Sequence, residues 1–102
     1  MTELFQGDLI RIAGFKSLFM VVSRNSFIRA TGLFHVCPLL QGVPEGALHI
    51  AVTGRQKTSG TVICEQIKLI DPQVRNCTRI DSLPYDMIMN ISDALQGMLE
   101  YD

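Results

Sequence analysis

Ala47-Leu-His-Ile-Ala-Val-Thr53, Gly54-Arg-Gln-Lys-Thr-Ser-Gly60 and Thr61-Val-Ile-Cys64 follow one another as strand, polar turn and strand. Leu48, Ile50 and Val52 fall on one face of the first segment, while His49, Ala51 and Thr53 share the other, the period-2 alternation of a half-buried strand. The same rhythm continues outward in both directions. Before this hairpin lies a Gly- and Pro-rich loop from Leu39 to Gly46, and before that Gly32-Leu-Phe-His-Val-Cys-Pro38, read as a strand closed by Pro38, which cannot donate to a ladder. Leu18-Phe-Met-Val-Val-Ser23 is a continuous apolar run of strand length, as expected of a strand buried on both faces, and Arg24-Asn-Ser26 breaks it. Leu9-Ile-Arg-Ile12 follows the Gly7-Asp8 turn, with Ala13 to Ser17 as a short connection. On the far side, Ile67-Lys-Leu-Ile70 makes a sixth strand. Five or six short strands at close spacing predict a small antiparallel barrel or sandwich, mainly β in class.

The chain ends differently. Ser82-Leu-Pro84 offers a helix start, and Met87, Ile88, Ile91, Ala94, Leu95, Met98 and Leu99 then recur at helical spacing. Asp86, Asn90, Asp93, Gln96 and Glu100 fall mostly opposite, so an amphipathic helix is expected over residues 82–100, its methionines filling core gaps. The whole chain, 1–102, is expected to form one domain, with the strands in 1–80 and the helix after them.

Net charge is −1, from 9 Lys+Arg and 10 Asp+Glu, but the charges are segregated. All nine basic residues and only five acids lie in residues 1–80, leaving that part at +4; residues 81–102 carry five acids and no Lys or Arg, at −5. A basic strand region suits a phosphate-bearing partner. No apolar run approaches the roughly 20 residues that span a bilayer, and the first residues carry neither a basic nor an apolar leader segment, so no membrane partner and no signal peptide are expected. Cys37, Cys64 and Cys77 are odd in number and show no CxxC spacing, which suits buried free thiols in a reducing cytoplasm. His35 and His49 stand apart from any ligand-like spacing, so neither a metal site nor a cofactor is expected.

Read in order, several stretches resemble the PemK/Kid/MazF family of bacterial growth-inhibitor toxins. Gly7-Asp8-Leu9-Ile10 resembles the family's opening "GD/GE-I-W"; Val21-Val22-Ser23 followed by Phe27 resembles its second strand and the segment after it; Val36-Cys37-Pro38 resembles its "V-V-P" strand. The most specific element is Cys64-Glu65-Gln66-Ile67-Lys68-Leu69-Ile70-Asp71, similar to "C-[DE]-Q-x-[RK]-x-[IL]-D", and Ile88-Met89-Asn90 falls where the family's last helix begins. The resemblance implies an SH3-like barrel of five or six strands with a C-terminal helix, a cytoplasmic homodimer, a metal-independent endoribonuclease that cuts single-stranded RNA to a 2′,3′-cyclic phosphate, and an antitoxin partner.

Such cleavage needs a base for the 2′-hydroxyl proton, an acid for the leaving oxygen, and cations or donors for the charged phosphorane. The resemblance puts Glu65 at the acid position, as general base or site organiser, with Gln66 as a supporting donor. Ser17 falls where the family's "G-x-R-P" carries its arginine, with Lys16 one residue earlier as an alternative cation. Leu40 occupies the place of the hydroxyl in "P-V-T-S", and the loop between the first two strands is cut to a short turn. Around this frame, Arg55, Lys57, Gln41 and His49 are the remaining candidate RNA contacts. These departures leave a second reading open: a dimeric binding protein, for nucleic acid, an antitoxin peptide or a gyrase-like protein target, that has lost the nuclease chemistry.

Overall fold

A computed structural model describes residues 3–100. The elements run β1 (Asp8–Ile12), β2 (Leu18–Val21), α1 (Asn25–Thr31), β3 (Phe34–Leu40), β4 (His49–Thr53), β5 (Ser59–Ile63), β6 (Lys68–Ile70), β7 (Cys77–Ser82) and α2 (Tyr85–Leu99). One antiparallel sheet takes the order β4-β5-β3-β2-β1-β7, with β6 paired to β3. The expected mainly β architecture with a C-terminal helix is present. Among the described residues it holds seven strands rather than five or six, and the sheet is barrel-like without closing strand to strand.

The central strands are apolar on both sides because both sides are covered. Leu9, Met20, Cys37 and Leu39 point into one core with Val52, Val62, Cys64, Leu83 and the helix residues Ile91 and Leu95. Ile10, Ile12, Phe19, Val21, Phe34 and Val36 point into the other with Leu4 and Ile70. This two-sided burial explains the uninterrupted run beginning at Leu18. Helix α2 follows its periodicity: Ile91 and Leu95 are buried, and Met87, Ile88, Ala94 and Met98 pack against the first core. Its cap differs from expectation. The N-cap is Pro84 and makes no side-chain hydrogen bond; Asp86 sits in the first turn, where the helix dipole favours an anion.

Pro38 does not end β3. The strand continues to Leu40, with Pro38 opposite Phe19 of β2. On its other edge β3 pairs β6 through Val36 and β5 from Leu39, so Pro38 lies in the gap where β3 exchanges one neighbour for the other. No ladder partner there calls for the N–H that proline lacks.

Closure comes from a side chain. The turn between β4 and β5 reaches β7, where Arg55 N–H donates to the Ser82 carbonyl at 2.9 Å. Asp81, only 4% exposed, accepts the Gln56 and Thr58 N–H groups at 2.9 and 3.1 Å and the Ser82 N–H at 2.7 Å. A bulge aims it there. Leu9 pairs Asp81 but Ile10 pairs Arg79, so Ile80 is the extra residue that turns Asp81 to the face of Leu9. Burial pushes the Asp81 carboxyl up, but the donors from Gln56, Ser82 and Thr58 outweigh it and hold it below its ordinary value. Gly54 leaves this latch its room, since a β-carbon there would overlap the Asp81 carboxylate.

Candidate functional site

The hairpin that opens the sequence reading also builds the site. β4 and β5 pair as His49↔Ile63, Ile50↔Val62, Ala51↔Thr61, Val52↔Gly60 and Thr53↔Ser59. Ile50 and Val52 pack toward the first core, which leaves His49, Ala51 and Thr53 on the outward face. Just beyond the end of β5, Cys64 N–H donates to the Leu48 carbonyl at 2.9 Å and Gln66 N–H to the Ile63 carbonyl at 3.2 Å. That bend sets Glu65 beside His49. Both carboxylate oxygens approach one ring nitrogen, Nε2, at 3.1 and 2.9 Å. Neither partner is buried, the side chains being 33% and 44% exposed for His49 and Glu65. The bond from His49 chiefly, then Glu65's own N–H, lowers the Glu65 pKa against a small opposing effect of burial.

Below the pair, Cys37 and Cys64 are fully buried free thiols, with Cys37 Sγ 3.6 Å from the Cys64 carbonyl. Burial first, then the neighbouring thiol and Glu65, push Cys37 up to about 12. Burial also raises Cys64. These sulfurs are packing groups, as the composition suggested. Cys77 is half-exposed, which the buried reading did not anticipate.

The other candidates are spread along the far end of the sheet. Leu18 pairs Leu39 and Leu40 pairs Thr61, so Ser17 and Lys16 enter β2 at the level of Leu40 and Gln41. Gln41 Nε2 donates to the Ser59 carbonyl at 2.6 Å, tying this end to the foot of the β4–β5 turn. Arg55 and Lys57 are exposed in that turn, Lys57 in the left-handed region at φ 74. Lys16 and Gln41 are exposed and Ser17 half-buried. By register, Ser17 stands two residues off the row that holds Phe19, Pro38 and His49, and three strands from β4. At roughly 4.8 Å per strand that is about 14 Å across the sheet. Within one chain, Lys16 and Ser17 are thus separate from the Glu65–His49 pair. Gln66 lies next to Glu65, exposed. Leu40, in the hydroxyl's expected place, is the half-buried last residue of β3.

Sequence reading missed an aromatic–cation cluster. The Phe15 ring packs edge-on against Phe19, centroids 5.3 Å apart, with Arg75 5.0 Å and the Lys68 amine 6.0 Å from its centre. Lys68 and Arg75 reach it from β6 and the loop after it, elements distant in sequence from Phe15. His35 is structural: its Nδ1 lies 2.9 Å from Ser23 Oγ, and its ring lies 5.3 Å from that of Phe27. Among the described residues no cluster of three or more His, Cys, Asp or Glu side chains could hold a metal ion, and no helix is long and apolar enough to cross a membrane.

Comparisons with known proteins agree on what carries this arrangement. The chain superposes on a MazE–MazF structure (Form-I) from Deinococcus radiodurans with TM-score 0.83 at 19% identity, covering 97% of this chain and 98% of that one. It superposes equally on an endoribonuclease from a mycobacterial species, TM-score 0.82 at 17% identity over 97% and 93%. An endoribonuclease in complex with its cognate antitoxin, also mycobacterial, gives TM-score 0.80 at 16% identity over 98% and 100%. At these identities the likeness establishes the fold. No curated protein sequence matches. The sequence profile of the PemK-like, MazF-like toxins of type II toxin–antitoxin systems matches residues 11–99, and the chain belongs to that family.

Proposed function

We propose that this chain is a toxin that acts as a metal-independent endoribonuclease on single-stranded RNA, works as a homodimer in the cytoplasm, and is restrained by a cognate antitoxin. The observation that carries the reading is the family match over residues 11–99 together with a paired acid and imidazole, Glu65 and His49, on the outward face of the sheet. Gln66 stands beside Glu65 as a donor to RNA. Lys16, Ser17, Gln41, Arg55 and Lys57 supply a second, cationic end that holds the strand through its phosphates. A second chain related by a two-fold axis brings its own copy of each end, so a homodimer gives one RNA strand both. The solved MazE–MazF and endoribonuclease–antitoxin complexes of the same fold support an antitoxin partner.

The test is incubation of purified protein with a single-stranded RNA in EDTA at low salt, with product ends analysed chemically. Fragments ending in 2′,3′-cyclic phosphate support the reading; intact RNA ends it. Ser17 and Leu40, which stand where the family carries an arginine and a hydroxyl, favour the second reading: a dimeric protein that binds without cutting. That reading is upheld if RNA is retained uncut with an affinity that falls steeply as salt rises.

A further inference from the structure

We propose that His49 is the group that moves the proton in RNA cleavage, and that Glu65 is the carboxylate behind it that fixes the ring; this rests on the nuclease reading above. Both Glu65 oxygens converge on His49 Nε2, at 3.1 and 2.9 Å. A carboxylate can only accept, so Nε2 carries a proton whether the ring is neutral or charged. The neutral ring therefore presents Nδ1 as its open lone pair. Among the described residues Nδ1 has no hydrogen-bond partner, whereas His35, the other histidine, has its Nδ1 against Ser23.

The backbone holds the pair rigidly. His49 exchanges both N–H and C=O bonds with Gly46, at 3.2 and 2.9 Å, and pairs Ile63 across the ladder. Glu65 is tied one residue away by the Cys64–Leu48 bond. A histidine on a strand and a carboxylate on an ordered bend are thus preset before substrate arrives, which is what oriented proton transfer requires. Glu65 already accepts both the imidazole and its own N–H and is held ionised, which makes it the anchor of the pair.

In the step this predicts, Nδ1 of neutral His49 takes the 2′-hydroxyl proton. The 2′-oxygen forms its bond to phosphorus, the bond from phosphorus to the 5′-oxygen breaks, and that oxygen leaves with a proton from water. The products are a 2′,3′-cyclic phosphate and a 5′-hydroxyl, with no change of oxidation state. Glu65 is the ionisable side chain against the ring. The buried Cys64 adjoins it, Glu45 lies in the loop before β4, and α2, which packs on β4, carries Asp86 and Asp93.

The decisive experiment compares wild type, His49→Gln and Glu65→Gln in RNA cleavage from pH 5 to pH 9, with thermal melts to confirm folding. His49→Gln keeps the side chain polar but cannot carry the proton. It is expected to lower kcat by about a hundredfold or more, with KM little changed, and to flatten the limb that rises as histidine loses its proton. Glu65→Gln is expected to lower the rate while keeping the limb that depends on His49. Nitrogen-15 NMR of the wild-type ring should show the Nε2–H tautomer, lost in Glu65→Gln. If wild type cuts and His49→Gln retains its rate within about threefold with the same pH profile, or the ring is the Nδ1–H tautomer, the proposal is overturned while the nuclease reading stands. If wild type leaves RNA intact, both fall.

Discussion

Asp81→Ala is the perturbation on which the barrel's integrity depends most directly. Three N–H groups end on this carboxylate: two from the turn at Gln56 and Thr58, and one from Ser82. Hydrogen bonds to a charged group contribute about 1.5–3 kcal/mol each. The Ser82 bond is local, and the turn amides, once released, turn toward water. Counting only the two long-range bonds at the low end gives a loss of about 3 kcal/mol. A domain of this size loses about 4–8 °C in Tm per kcal/mol, so Asp81→Ala is expected to melt about 12–24 °C lower by calorimetry. Asp81→Asn keeps one acceptor oxygen and should lose about half as much. Amide exchange should show where the loss falls: Gln56 and Thr58 become fast while β3 stays protected. The pH dependence has a definite sign. The folded carboxyl titrates below its unfolded value. Its contribution is therefore complete above the unfolded value of about 3.9 and fades as pH falls through the folded one. Wild type, but not Asp81→Ala, should lose that increment in acid. A Tm drop under about 4 °C, or equal acid sensitivity in both proteins, would refute the idea that a side chain stands in for the missing strand pairing.

Other outcomes follow from the same geometry. Gly7→Ala combines a positive φ of 92 with a β-carbon that would overlap Ile88 of α2, so a loss of about 2–4 kcal/mol is expected in urea titration; an unchanged midpoint would show that the helix shifts freely. Thiol labelling of native protein should modify Cys77 alone, Cys37 and Cys64 reacting only after unfolding; fast modification of either contradicts their burial. Ser17→Arg with Leu40→Thr, which restores the family's cation and hydroxyl, should raise RNA cleavage about tenfold or more; no gain would show that another group already does their work.

How much was legible in the sequence depended on what each segment buries. The hairpin from Ala47 to Cys64 and the run at Leu18 were plain, because alternation and two-sided burial are written directly in residue type. Helix α2 was plain for the same reason. α1 was read as a break: its seven residues bury none of their number fully, and Arg24 at the N-cap makes no side-chain hydrogen bond. β7 was missed because its inward residue at the decisive position is Asp81, and a buried carboxylate served by backbone donors looks, in sequence, like a surface acid. Of the site, Glu65 and Gln66 came from the resemblance and His49 from its strand face, yet nothing in the spacing of residues 49 and 65 says that they meet. That needed the turn after Cys64. The Phe15 cluster was invisible because its cations come from residues 68 and 75.

The pairing of β1 with β7 joins Asp8 to Ser82. It is among the most sequence-distant contacts of the sheet, and ordering it closes a loop spanning most of the chain. Until β7 docks, β1 has only β2 to pair with, and the β4–β5 turn has no Asp81 carboxylate to settle on. The β4–β5 hairpin beside which Glu65 meets His49 is local in sequence, whereas the enclosure that steadies it needs the distant β7. The enclosure is thus a property of the whole sheet, formed only when strands from opposite ends of the described fold have met.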